Sequence, residues 1–191
     1  MRSLNRLLVT GGAGFIGSAF IRYLLRLQDK QVRIVNLDLL TYAANLANLD
    51  GFHEHPRYRF VQGDVGNMPL VEKILEEEEI DAVVHFAAET HVDRSIASSR
   101  VFLETNVLGT ASILEVLRKR PHIHFHHIST DEVYGSLGEG GYFHEQSPYR
   151  PNSPYAASKA ASDHLVRSFA NTYGLSVTIS HCSNNYGPCQ H

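Results

Sequence analysis

The chain has 191 residues, 43% of them hydrophobic and 19% charged, and a net charge of −3 with neutral histidines. That length suffices for one domain with a full core and is marginal for two. The balance excludes a disordered, collagen-like or coiled-coil chain and offers no basic field for nucleic acid.

In chain order, the first apolar run, Arg6–Thr10, reads as a strand and is broken at once by Gly11-Gly12. It is too short for a signal peptide's apolar core or for a membrane span, and no later stretch approaches one, so a soluble, cytoplasmic protein is expected. Phe15–Leu27 carries apolar residues at helical spacing, and Val32–Leu37 is a second strand. Tyr58–Val61 is a third strand and Pro69–Glu79 a helix. Ala82–Phe86 is a fourth strand, Val101–Lys119 a long helix and Ile123–Ser129 a fifth strand. Pro154–Tyr173 is a further helix and Leu175–Ser180 a sixth strand. Strand and helix alternate, and the strands are continuous apolar runs, as expected where helices cover both faces of a parallel sheet. The fold class is therefore α/β, a doubly wound parallel sheet. Asp131–Asn152 is a polar, glycine-rich loop of the kind that carries function in such folds.

Two further features read as structural. Cys182 and Cys189, with His181 and His191 nearby, match no common zinc spacing and are expected to be free thiols. His122, His124, His126 and His127 lie on or beside the fifth strand, whose alternation keeps them from converging on a metal.

Between the first strand and the first helix lies Thr10-Gly11-Gly12-Ala13-Gly14-Phe15-Ile16-Gly17. Gly11, Gly14 and Gly17 suit a tight turn, close approach of a pyrophosphate and helix–strand packing. The helix then opens with free N–H groups at Phe15 and Ile16, aimed at phosphates. Asp38 ends the second strand about twenty residues beyond the last glycine, where a carboxylate accepts from the adenosine ribose. It would repel a 2′-phosphate, so NAD is expected rather than NADP. The setting is that of a Rossmann fold. After the third strand, Asp64 has two readings, an acceptor for the adenine amino group or the cap of the next helix, with Val65 beside it. Ala87 and Ala88 end the fourth strand with small side chains that admit a cofactor.

Tyr155-Ala156-Ala157-Ser158-Lys159 sets a phenol and an ammonium four residues apart on one helix face. The lysine charge is expected to lower the phenol's pKa, so that Tyr155 moves a proton during hydride transfer. Lys159 can also bond the nicotinamide ribose.

With Thr105-Asn106 and Ser129-Thr130 added, the sequence resembles the extended short-chain dehydrogenases that act on nucleotide sugars, and within them the 4,6-dehydratases. The residues that carry the resemblance include Leu40-Thr41-Tyr42, the run His85 to Ser95, Thr130-Asp131-Glu132 and Asn184-Asn185-Tyr186-Gly187. The resemblance implies dTDP-glucose as substrate and five catalytic residues, Thr130, Asp131, Glu132, Tyr155 and Lys159. Thr130 would bond the sugar O4, Glu132 would take the C5 proton and Asp131 would protonate the departing C6 hydroxyl. The resemblance further implies that His91, Ser129, Thr130 and Asn184 line the substrate. It implies a homodimer through Val101–Lys119 and Pro154–Tyr173, and a C-terminal substrate domain that would begin where this chain stops, near Cys189-Gln190-His191. A nucleotide-sugar 4-epimerase or decarboxylase, or a dinucleotide-binding module without turnover, stands beside this reading.

Overall fold

A computed structural model of the chain describes residues 5–27, 31–138 and 140–190. Its six strands are β1 (Arg6–Thr10), β2 (Arg33–Asp38), β3 (Tyr58–Gln62), β4 (Ala82–His85), β5 (His124–Thr130) and β6 (Val177–Cys182). All pair in parallel in one sheet, in the order β3-β2-β1-β4-β5-β6. That is the doubly wound Rossmann order, whose direction reverses between β1 and β4; ligands of such sheets bind in the crevice at that point.

Alternating strand residues feed two cores. Leu8, Val35, Val83 and Phe125 pack on one face beneath Ile74 of α2 (Met68–Glu77), Ile113 and Leu117 of α5 (Thr110–Arg118), and Val166 of α6 (Pro154–Tyr173). Their neighbours Leu7, Val9, Ile34 and Val84 face the other way, onto Ile21 and Leu25 of α1 (Phe15–Arg26). The one-residue switch between faces is the pleat itself.

The expected elements form, with shifts of one or two residues at their ends. Three additions and one correction stand out. A short helix α3 (Val92–Ala97) and two 3₁₀ turns, Leu46–Leu49 and Asp131–Tyr134, occupy stretches with too few periodic apolar positions to predict them. The long helix expected over 101–119 is not uniform: α4 (Arg100–Phe102) passes into a π-helical segment, Leu103–Gly109, before α5 begins. The cause is local. The Asn106 carbonyl accepts from Thr110 Oγ1 at 2.6 Å and from Ser162 Oγ at 2.7 Å. Side chains have entered the ladder, and the coil widens there. Among the described residues, no helix is long and apolar enough to cross a membrane.

Candidate active site

The glycine turn is fixed from three sides. A Cβ on Gly17 would lie 2.3 Å from the Gly11 carbonyl oxygen, and one on Gly11, whose φ is +69°, would lie 2.5 Å from the Ala87 nitrogen. Asp38, 7% exposed, accepts from the Ala13 N–H at 2.9 Å and from the Leu40 N–H at 2.8 Å. One carboxylate therefore joins the glycine turn to the turn that leaves β2. Thr10 Oγ1 donates to His85 Nδ1 (2.7 Å) and accepts from the Ala87 N–H (3.3 Å). His85 Nε2 in turn donates to Thr110 Oγ1 (3.1 Å), whose own proton goes to Asn106. Each hydroxyl has one proton to give, so the chain of donors fixes His85 as the neutral Nε2–H tautomer. Burial holds its pKa down to about 3.

The α1 N-terminus has no side-chain cap and no acidic residue in its first turn. Its first N–H groups, at Phe15, Ile16 and Gly17, point past the end of the helix without intrahelical partners. A cradle that a Cβ would fill, beside a helix end at the switch point, is what a dinucleotide pyrophosphate requires. These residues fit NAD. Asp64 is exposed and accepts from the Gly66 N–H at 2.7 Å, while Asn67 caps α2. The helix-cap reading of Asp64 is thereby overturned. Val65 is buried beside it, and Ala87 and Ala88 are half-buried.

At the carboxyl end of β5, Thr130 caps the 3₁₀ turn through the Glu132 N–H (3.2 Å). Its hydroxyl lies beside the Tyr155 phenol and 3.5 Å from Asp131 Oδ1. Asp131 and Glu132 are half-buried. Burial and then the Asp131 charge raise the Glu132 pKa. Glu132 lines a recess of about 180 Å³ with Ser136, Asn152, Ser153 and Ala156.

Tyr155 and Lys159 lie one turn apart on α6, and both are buried. Proximity does not produce the expected effect on the phenol. Burial, then the Glu132 charge, push its pKa up to about 12, against the pull of Thr130. Lys159 is not among the main influences on it; its ammonium donates to the Ile128 carbonyl at 2.8 Å and lies 3.4 Å from His127 Nε2. Burial brings its own pKa down to about 8.

Of the other sequence-derived candidates, Ser129 is buried and donates to Asp163 Oδ2 (3.0 Å), one turn beyond Lys159. His91 is exposed at the start of α3, 6.3 Å from the Tyr42 ring, and Asn184 is exposed after β6. The structure thus groups Thr130, Asp131, Glu132, Tyr155 and Lys159 at one sheet edge, with Ser129's hydroxyl turned below them. Two groups escape a reading of the sequence. Asp163 carries a signal, the continuation of Tyr155 and Lys159 at the same four-residue spacing. The Thr10–His85–Thr110 chain carries none, because its members lie on three elements. His124 and His126 bond Ser176, Thr178 and Ser180 across the sheet. Among the described residues no three His, Cys, Asp or Glu side chains could hold a metal. Cys182 and Cys189 are free thiols, and His191 lies outside the described residues.

A family model described as GDP-mannose 4,6 dehydratase matches residues 8–191. The dTDP-glucose 4,6-dehydratase of Xanthomonas campestris pv. campestris is 54% identical over 95% of this chain and 53% of its own length. The crystal structure of the dTDP-glucose 4,6-dehydratase of Streptomyces venezuelae with NAD superposes at a TM-score of 0.90, with 52% identity, over 97% of this chain and 58% of that one. The Bacillus anthracis enzyme, in complex with NAD, gives a TM-score of 0.90 and 46% identity over 98% and 57%. The chain spans about half the length of the curated relatives it matches.

Proposed function

The chain belongs to the GDP-mannose 4,6-dehydratase family, and from that premise we propose that it binds NAD and carries the acid–base machinery for converting dTDP-glucose to dTDP-4-keto-6-deoxyglucose. The observation that carries this reading is the adjacent acid pair Asp131–Glu132, which shares one sheet edge with Thr130 and Tyr155. An oxidation at C4 alone needs only the phenol. Loss of water between C5 and C6 needs one base and one acid together, with pKa values held apart.

NAD, when bound, supplies a hydride acceptor at C4 that returns the hydride to C6, and a positive ring charge that favours the Tyr155 phenolate. Gly11, Gly14 and Gly17, with the N–H groups of Phe15 and Ile16, would hold its pyrophosphate. Asp38, each oxygen of which retains a lone pair, would hold the adenosine ribose. Asp64, Val65, Ala87 and Ala88 would line its adenine and ribose, and Lys159 the second ribose.

Tyr155 takes the O4 proton while Thr130 holds the oxygen. The C4 ketone then acidifies C5–H, and Glu132 takes that proton. Asp131 protonates the C6 hydroxyl, which leaves as water. Glu132 finally returns its proton to C5. Over a turnover Tyr155 gains one proton and Asp131 loses one, so the site is reset by a net transfer of one proton from the phenol to Asp131. His91 and Asn184 flank the sugar on this reading, and Ser129 acts from below through Asp163.

Residues 1–191 belong to the cofactor domain on this reading, and the further length of the relatives supplies most of the nucleotide grip. Exposed Leu103 and Leu108 on the π segment support a homodimer through that surface and α6. The test is paired: calorimetric titration of NAD, then addition of dTDP-glucose with the 4-keto product followed by its absorbance in alkali. Binding with product supports the dehydratase. Binding without product leaves a dinucleotide-binding module, and no binding in folded protein removes the cofactor assignment.

A further inference from the structure

Beneath the catalytic pair, α6 carries a third charged residue in the same row. Asp163 follows Lys159 by four residues and is fully buried. A buried carboxylate is costly unless donors surround it. Here Oδ2 accepts from Ser129 Oγ (3.0 Å) and Tyr149 Oη (2.9 Å) and lies 3.0 Å from His181 Nε2. Tyr134 donates to His181 Nδ1 at 3.1 Å, which leaves the His181 proton on Nε2, facing Asp163. Oδ1 has no hydrogen-bond partner.

His127 Nε2 lies 3.4 Å from Oδ1. The same nitrogen is 3.4 Å from Lys159 Nζ. It can serve one neighbour at a time, as an acceptor for the ammonium or as a donor to the carboxylate. The other ring nitrogen, Nδ1, is buried without a partner, so nothing else fixes the tautomer.

We propose that Asp163 is a positioning residue for Lys159: its buried carboxylate, on the far side of His127, keeps the lysine charged and seated beneath Tyr155. This rests on the reading of Tyr155 and Lys159 as the proton-transfer pair. The charged and titratable groups facing Lys159 are His85 on β4, His127 on β5, Cys182 on β6, and Asp163 and Tyr155 on its own helix, with His181 and Tyr149 behind Asp163. Burial draws Lys159 toward neutrality, and the Asp163 charge is the largest influence opposing it. Removing that charge therefore drives Lys159 neutral at a lower pH.

The test compares the chain with Asp163→Asn, Asp163→Glu and Lys159→Met. NAD affinity is measured against pH by calorimetry, and the His127 ring nitrogens are followed by ¹⁵N NMR in the NAD-free chain. In the parent chain, affinity falls as pH rises through the Lys159 titration, and the His127 proton passes from Nδ1 to Nε2 in the same step. Asp163→Asn should move both transitions to lower pH by about one unit or more, and Asp163→Glu should restore them. Unmoved transitions in folded Asp163→Asn overturn the proposal. If Lys159→Met leaves NAD affinity unchanged, the reading of the catalytic pair fails instead. Should Asp163→Asn not fold, the parent chain decides: a His127 tautomer that stays fixed between roughly pH 6 and pH 10 overturns the proposal.

Discussion

Tyr155 and Lys159 share one face of α6, but their polar ends serve different partners. The phenol lies beside Thr130 at the rim of the site, and the ammonium bonds the Ile128 carbonyl beneath it. The phenol, pushed up to about 12, is held protonated at neutral pH. The pair therefore awaits charge from a bound ligand before it can move a proton.

Tyr155→Phe tests that arrangement. It removes only the hydroxyl and leaves the ring packed edge-on against Phe102, 6.4 Å away. NAD affinity should change little. C4 oxidation should fall about 10²- to 10⁴-fold, the range for loss of a positioned acid–base group. Stopped-flow absorbance of NADH formation separates the two effects.

The glycine turn gives a graded test of cofactor fit. At Gly17 a methyl group meets the Gly11 backbone oxygen at 2.3 Å, whereas at Gly14 its nearest neighbour is 3.3 Å away. Gly17→Ala should cost about 1–3 kcal/mol in stability and weaken NAD binding with it. Gly14→Ala should cost far less. Thermal melts with and without NAD check both.

Much of this site was legible because it is local in sequence. The Gly11–Gly17 turn, Asp38 at the end of β2, and Tyr155 with Lys159 each lie within one element or at its edge, where spacing determines geometry. The parallel sheet with helices on both faces followed from the alternation of strand and helix, though its strand order came only from the structure. What escaped was non-local. The π segment depends on Ser162 reaching Asn106 from another helix, a contact that no periodicity within 101–119 encodes. The protonated state of Tyr155 depends on burial and on Glu132, 23 positions upstream, so a rule based on one helix face gave the wrong sign.

Glu132 carries the distinction between dehydratase and epimerase. Glu132→Gln should leave C4 oxidation intact and halt at the 4-keto-glucose nucleotide, whereas an epimerase would scarcely respond. Because burial and the Asp131 charge raise the Glu132 pKa, its base form is lost at a higher pH than for an ordinary glutamate as the solution is acidified. Asp131→Asn removes the like charge and should shift that acid limb of NAD-linked C5 proton exchange to lower pH. Solvent deuterium incorporation at C5, followed by NMR, reads the limb directly.

His85 makes an acid-stability prediction. In the folded chain its pKa is about 3, against 6.5 for an unperturbed histidine. Between those values the unfolded chain binds a proton that the folded chain refuses. Stability is therefore fully present above the unfolded value and declines as pH falls from about 6.5 toward 3. The loss comes to several kcal/mol, on the order of 1.4 kcal/mol per pH unit. Protonation would place a proton on Nδ1, where Thr10 now donates, and would break that bond as it stands. Urea midpoints measured across this range should fall steeply in the parent chain. In His85→Gln the overall stability should be lower and the slope shallower, with the remainder belonging to His127, which burial also holds neutral. An equal slope in both proteins would assign the acid sensitivity to the carboxylates instead.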